Sequence, residues 1–332
     1  MPELYSFIIP VYNRPDELGE LLHSIAQLDQ APLFEVIVID DGSTLRSKEI
    51  IERYDFLDIH YYFKENTGPG DSRNFGMRKA VGDYFIILDS DCILAADYLS
   101  SVDRALNEHF VDCFGGPDAA HPSFNLRQRT ISFIMTSFWT TGGIRGNKKN
   151  IKRFEPRSFN MGLSRKAFEQ SLGFGHLHPG EDPELVHRLW EMGFKTSFIQ
   201  NALVYHKRRI TWSSYARQIY RFGLARSILN SWRPQNASWV FWLPSFMVLI
   251  GICSIGLFVL KYYELAYLVL AYALFIACVG MLKIKSIMAL VTVPWAFGIQ
   301  STAYGIGFFR GWVYLRVLKR DPKKEFSHMF FN

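Results

Sequence analysis

Short runs of consecutive apolar residues alternate with amphipathic segments in the N-terminal part of the chain. The apolar runs are rich in β-branched and aromatic side chains and predict four strands, at residues 5–10, 34–39, 59–63 and 84–88. The segments between them, at residues 16–28, 45–54 and 71–81, repeat apolar side chains at helical spacing. Strands that are apolar along their whole length, separated by helices, indicate an α/β fold with a mostly parallel central sheet covered on both faces.

A different pattern begins further along the chain, where long uncharged segments replace the alternation. Residues 240–260 carry no charged side chain, and a helix of this length crosses about 30 Å of hydrocarbon at about 1.5 Å per residue. Residues 265–282 form a second candidate span, and residues 287–309 form a third that is interrupted by a proline and several glycines. We therefore expect two to four transmembrane helices within residues 240–318, with the third segment forming a hairpin, two short helices or an interfacial element.

Charge is segregated along the chain. The formal net charge of +6 arises from 37 Lys and Arg against 31 Asp and Glu. Residues 1–202 hold 21 basic and 28 acidic side chains, whereas residues 203–239 hold seven basic side chains and no acidic one. The positive charge collects beside the apolar segment, where it can contact anionic lipid headgroups. It therefore indicates orientation at a membrane, with membrane lipids as partners, and does not indicate binding to nucleic acid.

Charges that flank the apolar segments indicate how they cross the membrane. The loop after the first candidate span, at residues 261–264, is neutral, whereas Lys283, Lys285 and residues 310–332 are basic. Since basic loops stay in the cytoplasm, we place the neutral loop outside and the basic segments inside. Three plain spans conflict with this arrangement, because they would place the basic tail outside.

The N-terminus and the cysteines bear on the compartment. The first ten residues lack a basic stretch followed by an apolar stretch and a cleavage site, so we expect no signal peptide. The four cysteines show no CxxC pairing, so neither a disulfide framework nor a zinc site is expected. These features predict an integral protein of the bacterial inner-membrane type, with its N-terminal domain in the cytoplasm.

Polar side chains follow the predicted strands at the edge where parallel sheets bind ligands. They are Tyr-Asn-Arg at residues 12–14, Asp-Asp-Gly-Ser at residues 40–43 and Asp-Ser-Asp at residues 89–91. The turn after the first strand lacks the GxGxxG pattern of dinucleotide-binding enzymes, and the chain has no GxxxxGK[ST] phosphate loop. Both of these nucleotide-binding classes are therefore excluded.

Six segments, taken in order, resemble glycosyltransferase family 2, whose members are inverting enzymes with the GT-A fold. They are residues 8–14 (IIPVYNR), 38–44 (VIDDGST), 65–69 (ENTGP), 72–76 (SRNFG), 88–91 (LDSD) and 180–182 (GED). Each segment is weak alone, but their ordered combination is specific, and the resemblance extends over residues 4–230. It implies a GT-A nucleotide-sugar domain of Rossmann-like architecture, and many members also carry C-terminal membrane helices.

The resemblance implies a binding site for a nucleotide-sugar donor. The residues that match the family's donor-nucleotide pocket are Pro10, Tyr12, Asn13, Arg14, Asp40, Asp41, Arg73 and Asp89. One of the pair Asp40 and Asp41 would read the base, and Arg73 would approach the diphosphate. A divalent cation, Mg or Mn, is implied at Asp89 and Asp91, with His206 nearby, because a hard cation with oxygen ligands offsets the charge of the diphosphate.

Catalysis by inversion needs a carboxylate that takes the acceptor proton. The resemblance assigns this general base to Asp182, with Glu181 as its supporting neighbour. Since Asp182 precedes a proline, it is also a good helix N-cap, and this structural role remains an alternative. Residues that would contact the donor sugar or the acceptor are Trp139, Gly143 and Asn160.

A basic aromatic segment precedes the first candidate span. Its residues Gln218, Arg221 and Phe222 resemble the QxxRW element of membrane polysaccharide synthases, with Phe in place of Trp. Such a segment would lie in the headgroup region of a membrane, or it would pack on the catalytic domain. Placing the active site against the bilayer suggests an acceptor that is attached to lipid.

The sequence thus predicts a membrane-anchored inverting glycosyltransferase with four parts. We expect a catalytic domain at 1–205, an interfacial segment at 206–239, transmembrane helices at 240–318 and a basic tail at 319–332. The enzyme would move a sugar from a nucleotide-diphosphate donor, with UDP favoured, to a hydroxyl of a lipid-linked glycan or glycolipid. Transfer to polyprenyl phosphate, processive polysaccharide synthesis and a non-catalytic membrane scaffold are the alternatives. The carboxylates Asp89, Asp91 and Asp182 argue against the last of these.

Overall fold

The computed structural model describes residues 2–121, 123–141, 154–207 and 211–331. Its strands are β1 (Tyr5–Val11), β2 (Phe34–Asp41), β3 (Ile59–Lys64), β4 (Tyr84–Leu88), β5 (Cys92–Leu94), β6 (Cys113–Gly115), β7 (Asp118–Ala119), β8 (Asn160–Ser164), β9 (Thr196–Phe198) and β10 (Val204–His206). Its α-helices are α1 (Pro15–Ile25), α2 (Lys48–Ile51), α3 (Pro69–Lys79), α4 (Tyr98–Glu108), α5 (Leu126–Thr136), α6 (Phe138–Thr141), α7 (Arg165–Ser171), α8 (Glu181–Glu191), α9 (Trp212–Trp232), α10 (Leu243–Val259), α11 (Glu264–Ile284), α12 (Ala289–Trp312) and α13 (Pro322–Glu325).

Seven strands form the central sheet, in the order β3-β2-β1-β4-β8-β6-β9. The first four of these are parallel, whereas β8 runs antiparallel to both of its neighbours, β4 and β6. Successive side chains of β1 face opposite sides of the sheet. Phe7 and Ile9 join the buried cluster of α1 and α4, and Ile8 joins the cluster of α3 and α8. The predicted mostly parallel sheet with both faces covered is therefore confirmed, and the four predicted strands begin at the observed residues.

A second, three-stranded sheet has the order β5-β10-β7. Only residues 89–91 separate its strand β5 from the end of β4 in the main sheet. Strand β10 is antiparallel to β5, with His206 opposite Cys92. This register brings His206 next to Asp91, the residue immediately before β5. Two residues that are far apart in the sequence thus meet at one turn.

Helix α9 lies along α12, and glycines let the two backbones approach closely. A Cβ atom at Gly223 would lie 2.3 Å from the Tyr304 carbonyl oxygen, and one at Gly307 would lie 2.2 Å from the Tyr220 carbonyl oxygen. Any larger residue at either position would push the helices apart. Helix α12 also contacts α5, where the hydroxyls of Thr130 and Thr292 are 2.9 Å apart.

Helix α12 continues through Pro294. The expectations of a hairpin or of two short helices for this segment are therefore wrong. Proline removes one backbone hydrogen bond, and here it falls early in a helix of 24 residues. Packing on both sides of it compensates for the loss, since Val293 and Ala296 are fully buried.

Two helices are long and apolar enough to span a membrane, and they are the only ones in the described part of the chain that meet this criterion. They comprise residues Trp239–Val259, which include α10 and the turn before it, and Glu264–Ile284, which is α11. Only 6% and 17% of their most apolar windows are buried, so neither is the core helix of a soluble domain. Large apolar side chains such as Ile255 and Leu268 point away from the protein.

The last described residues return to the N-terminal domain. Residues 326–331, which we call the C-terminal strap, follow α13 and lie against the segment that precedes α8. The Phe331 amide donates to the His176 carbonyl at 3.0 Å, and the His178 amide donates to the Met329 carbonyl at 2.7 Å. Phe326 and Met329 are fully buried, so the C-terminal strap is an integral part of the fold.

Candidate active site

The carboxyl end of β2 carries two buried aspartates with different partners. Asp40 accepts a hydrogen bond from the Tyr61 hydroxyl at 2.6 Å, which ties β2 to β3. Asp41 accepts from Lys64 Nζ at 2.7 Å and from the Gly68 amide at 3.0 Å. Asp41 therefore fixes the loop that leads into α3. Which of the two reads a base stays a prediction.

Residues 12–14 lie beside this pair, at the end of β1. Asn13 has a φ of 53°, and its side-chain oxygen accepts from the amides of Thr44 at 2.8 Å and Leu45 at 3.0 Å. This links the turn after β1 to the turn after β2. The Tyr12 ring is 51% exposed, so it can contact a ligand that lies over both turns. Pro10, near the end of β1, is half-buried beneath them.

Arg73 on α3 joins two carboxylates that come from different elements. Its guanidinium donates to Asp89 at 2.7 Å and to Glu181 at 3.1 Å. Arg73 is almost fully buried, and its Nε has no hydrogen-bond partner among the described residues. Burial alone would lower the pKa of Arg73, but the charges of Asp89 and Glu181 raise it. Two carboxylates within the protein thus pair with the Arg73 guanidinium, and its approach to a diphosphate stays a prediction.

Asp91 faces His206 across the turn between β4 and β5. Its Oδ1 lies 3.0 Å from His206 Nε2, and its Oδ2 accepts from Arg14 at 2.6 Å. Burial alone would raise the pKa of Asp91, but His206 and Arg14 lower it to about 2. Asp91 is therefore ionised at neutral pH.

The donor atoms of this turn fit a hard divalent cation. Ligand atoms of Asp91, Cys92 and His206 lie within 4.8 Å of one another. Two ligands held at about 2.1 Å and at a right angle are about 3.0 Å apart, which matches the separation of the Asp91 oxygen and the His206 nitrogen. Burial raises the pKa of the Cys92 thiol well above its usual range, so it stays neutral and is a poor ligand for such a cation. Asp89, the other predicted ligand, is paired with Arg73.

Glu181 begins α8 and is held by His178. The Nδ1 atom of His178 lies 3.1 Å from both carboxylate oxygens, and the Gly180 amide donates to one of them at 2.9 Å. Burial alone would raise the pKa of Glu181, but His178 and Arg73 lower it to about 2. Glu181 is therefore a fixed anion that orients Arg73. His178 was not predicted, because no motif in the sequence points to it.

Asp182 is the second residue of α8, and its alternative role as N-cap is wrong. The N-cap is Gly180, whose φ of 122° lets the helix begin at Glu181. The Asp182 carboxylate accepts from the Ser158 amide at 3.4 Å and lies 3.8 Å from the Arg157 guanidinium. With its side chain 16% exposed, it can still meet a substrate.

Glu155 connects this region to α9, and sequence patterns did not reveal it. The carboxylate accepts from Arg226 at 2.7 Å and lies 3.1 Å from His187 and 3.3 Å from Arg157. Burial alone would raise the pKa of Glu155, but Arg226 and His187 lower it well below its usual range. Since the partners come from α8, α9 and the loop before β8, this ionised group sets the position of α9 relative to the base candidate.

An apolar cavity of about 320 Å³ opens between these elements and the apolar C-terminal helices. Arg157 and Pro183, which flank Asp182 in space and in sequence, line one part of it. Other walls come from α5, α6, α9, α11 and α12, and α10 contributes Pro244 and Met247. The cavity therefore extends from the neighbourhood of Asp182 to a helix that is long and apolar enough to cross a membrane.

The other predicted sugar and acceptor contacts have distinct environments. Trp139 lines the cavity, and its ring centroid is 4.9 Å from that of Phe275 on α11. Asn160 is buried in β8, where its amide donates to the Ala202 carbonyl at 2.8 Å and its oxygen accepts from the Tyr98 hydroxyl at 2.7 Å. Gly143 lies outside the described residues. The roles of all three stay predictions.

The three residues predicted to be interfacial lie on α9. Phe222 lines the cavity, Arg221 is half-buried and Gln218 is exposed. Helix α9 packs along α12 and is joined to the N-terminal domain through Arg226. It is therefore a basic helix packed on that domain, which is compatible with a position at a membrane surface.

A known protein family matches the N-terminal half of the chain. Residues 6–172 match the profile of Glycosyl transferase family 2. The match covers 167 of 332 residues, just over half of the chain. The chain belongs to glycosyltransferase family 2. The matched part of this glycosyltransferase contains the strand-end aspartates and Arg73, whereas Asp182, His206 and α9 lie beyond it.

Relatives of this chain include one streptococcal and one staphylococcal protein. Glycosyltransferase GlyG of Streptococcus pneumoniae is 25% identical over 69% of this chain and 78% of its own length. Poly(ribitol-phosphate) β-N-acetylglucosaminyltransferase TarS of Staphylococcus aureus is 33% identical over 32% of this chain. The matched region spans only 20% of the length of TarS.

A solved structure shows the same fold over nearly the whole chain. The mannosyltransferase PcManGT from Pyrobaculum calidifontis, in complex with GDP-Man and Mn²⁺, superimposes with a TM-score of 0.58 at 16% identity. The superposition covers 96% of this chain and 88% of that one. The predicted GT-A fold is thus confirmed.

Proposed function

We propose that this glycosyltransferase transfers a sugar, with inversion, from a nucleotide-diphosphate donor to a hydroxyl of a lipid-linked glycan or glycolipid. UDP is the favoured nucleotide. The observation that carries the proposal is the cavity beside Asp182, because it opens toward α10 and offers an apolar acceptor chain a path from the membrane to the base. GlyG and TarS are named as glycosyltransferases, which supports the same reaction class.

The donor would lie across the ends of β1, β2 and β4. Asp40 or Asp41 accepts from the base, while Tyr12 covers the nucleotide and Arg73 faces the diphosphate. Asp91 and His206 would hold a divalent cation, Mg or Mn, which supplies positive charge to the diphosphate as its bond to the sugar breaks. The presence of GDP-Man and Mn²⁺ in PcManGT supports this arrangement.

Asp182 would act as general base. It takes the proton of the acceptor hydroxyl as that oxygen attacks the anomeric carbon, and the nucleoside diphosphate leaves from the opposite face. The Arg157 guanidinium lies 3.8 Å from the Asp182 carboxylate. A phosphate acceptor arrives ionised and needs no base, so the position of Asp182 beside the cavity favours a hydroxyl acceptor over polyprenyl phosphate.

The C-terminal strap restricts how the chain crosses the membrane. Because the strap is hydrogen-bonded to the catalytic domain, both lie on the same side, and the chain between them crosses an even number of times. We propose that α10 and α11 are the two crossings and that α12, packed on α5 and α9, stays at the membrane surface. This resolves the conflict between three plain spans and a basic tail on the cytoplasmic side.

Cysteine labelling tests this topology. In a chain with Cys253 and Cys278 replaced by alanine, Lys261→Cys is expected to react with a membrane-impermeant maleimide in intact spheroplasts. Lys324→Cys is expected to react only after lysis, because α13 lies on the cytoplasmic side. Equal labelling of Lys324→Cys in intact spheroplasts would show an odd number of crossings and contradict the proposal.

The proposed reaction is tested by screening nucleotide sugars with a bacterial membrane lipid extract and identifying the product by mass spectrometry. We expect a glycosylated lipid, with the sugar attached through a former hydroxyl. Met247→Trp, which fills the cavity from α10, should lower transfer to lipid by about tenfold, since overpacking a fitted site is unfavourable. It should leave donor binding unchanged.

Leu249→Trp is the matched control, because Leu249 lies on the same helix and is 56% exposed. It should transfer sugar at the wild-type rate. Equal activity of the Met247→Trp and wild-type proteins would refute the cavity as the acceptor site. A polyprenyl-phosphate sugar as product would replace the hydroxyl acceptor.

A further inference from the structure

The C-terminal strap contacts the segment that leads into α8. Its backbone hydrogen bonds to His176 and His178 fix the two residues on either side of Leu177. The Phe331 ring lies 5.5 Å from the His178 ring, centroid to centroid. Phe331 and His178 line a small cavity that also reaches Glu181. The strap thus holds and shields the histidine that pairs with Glu181.

From His178, direct contacts lead to the donor site. His178 holds Glu181, Glu181 accepts from Arg73, and Arg73 donates to Asp89. All the contacts along this path are between 2.7 and 3.1 Å. Charged contacts of this kind strengthen when water is excluded. The Phe331 ring covers part of the His178 side chain, which is 37% exposed.

A second contact of Phe331 reaches the other end of the donor site. A Cβ atom at Gly68 would lie 2.6 Å from the Phe331 ring, and Gly68 has a φ of 94°. The same glycine donates its amide to Asp41 at 3.0 Å and is the N-cap of α3, the helix that carries Arg73. The ring therefore packs on the backbone that joins Asp41 to Arg73.

We propose that the C-terminal strap, through the Phe331 ring, is a positioning element for donor binding. It holds His178 and Glu181 so that Arg73 faces the diphosphate, and it supports the loop that Asp41 fixes. The sequence places the strap directly after the helices that pack on α9, so the donor site is completed by the C-terminal part of the chain. The inference rests on the proposed donor site and does not depend on the acceptor.

Binding of nucleoside diphosphates to the full-length protein in detergent tests this proposal. The probes are UDP and GDP, each with MnCl₂, and binding is measured by isothermal titration calorimetry. The nucleotide that the wild-type protein binds more tightly is then used for the variants. Phe331→Ala is expected to weaken binding by about tenfold, as is common when a residue that orients a ligand-contacting group is lost. Phe331→Tyr keeps the ring and should bind like the wild type.

Phe330→Ala is the matched control, because it removes the same ring volume from the strap. The Phe330 ring faces Trp232 of α9, with centroids 6.1 Å apart. The Phe330→Ala variant should therefore bind the probe with an affinity within about twofold of the wild type. Phe331→Ala combined with His178→Ala should weaken binding less than the product of the two single effects, since both act through Glu181.

Thermal unfolding of each variant separates positioning from stability. Phe331 is 37% exposed, so its truncation should change Tm little. Unchanged binding by Phe331→Ala overturns the proposal, as does equal weakening by Phe330→Ala with a parallel fall in Tm. Independent effects of Phe331→Ala and His178→Ala also overturn it. Failure of the wild-type protein to bind either nucleotide overturns the proposed donor site together with this inference.

Discussion

Replacing Asp91 with alanine is expected to abolish metal-dependent donor binding in this glycosyltransferase. Asp91 is ionised, buried and 3.0 Å from His206. Of the two aspartates in this turn, Asp91 is the one whose carboxylate faces a second possible metal ligand. Without the Asp91 carboxylate, a cation would keep only His206 of these two ligands and would lose the negative charge beside it. Titration of Mn²⁺ against donor binding should show a loss of metal affinity of about 100-fold, at the upper end for a group of this kind.

Two neighbours of Asp91 sharpen this test. His206→Ala should weaken Mn²⁺ binding by about tenfold, because it removes the second ligand atom but no negative charge. Cys92→Ala should leave the Mn²⁺ titration unchanged, because the buried thiol stays neutral. If donor binding by Asp91→Ala depends on Mn²⁺ as it does in the wild type, the assignment of Asp91 as a metal ligand is refuted. A loss of Mn²⁺ affinity in Cys92→Ala would indicate that the site binds a softer metal.

Asp89 is expected to act differently from Asp91, although the two are separated by a single residue. Its carboxylate is 2.7 Å from Arg73. The sequence predicts Asp89 both as a metal ligand and as a contact of the donor nucleotide, and Asp91 as a metal ligand. The positions of α3 and β10 determine what each carboxylate meets, which is Arg73 for Asp89 and His206 for Asp91. The spacing of the two residues therefore allows one metal ligand and one other contact, but it does not tell which aspartate takes which role.

The fold and the strand-end site were readable from the sequence because both arise from local patterns. Continuous apolar runs identify strands such as β1 and β4, and parallel topology then places the polar residues after them at one edge. The contacts of Glu155 are not local, since its partner Arg226 lies 71 positions further along the chain. No periodicity encodes such a pair. The same holds for Phe331 and His178.

The C-terminal helices could also be assigned only in part from the sequence. Hydropathy identified α10 and α11 as candidate spans, because both are continuous apolar runs whose side chains are mostly not buried in the protein. It could not assign α12, since a helix that packs against α5 and α9 on one side carries small and polar residues at those contacts. Gly307 and Gln300, both buried, belong to that packed side.

Replacing Asp182 with asparagine is expected to lower kcat by about 10³-fold while the affinity for nucleotide stays nearly unchanged, because an amide cannot take the acceptor proton. The substitution should not disturb α8, since the helix begins at Glu181 with Gly180 as its N-cap. Among the described contacts, the Asp182 carboxylate accepts from the Ser158 amide and lies beside Arg157, so the expected loss concerns turnover more than nucleotide affinity.

The measurement for Asp182→Asn is single-turnover transfer alongside nucleotide binding, with Glu184→Gln as matched control. Glu184 lies in the same first turn of α8, and its carboxylate accepts from Arg188 at 2.9 Å, away from the cavity. Both substitutions remove one negative charge near the helix N-terminus, so they share any effect on helix stability. A selective loss of turnover in Asp182→Asn therefore isolates proton transfer. Retained turnover would show that Asp182 is not the base and would favour an acceptor, such as a phosphate, that arrives already ionised.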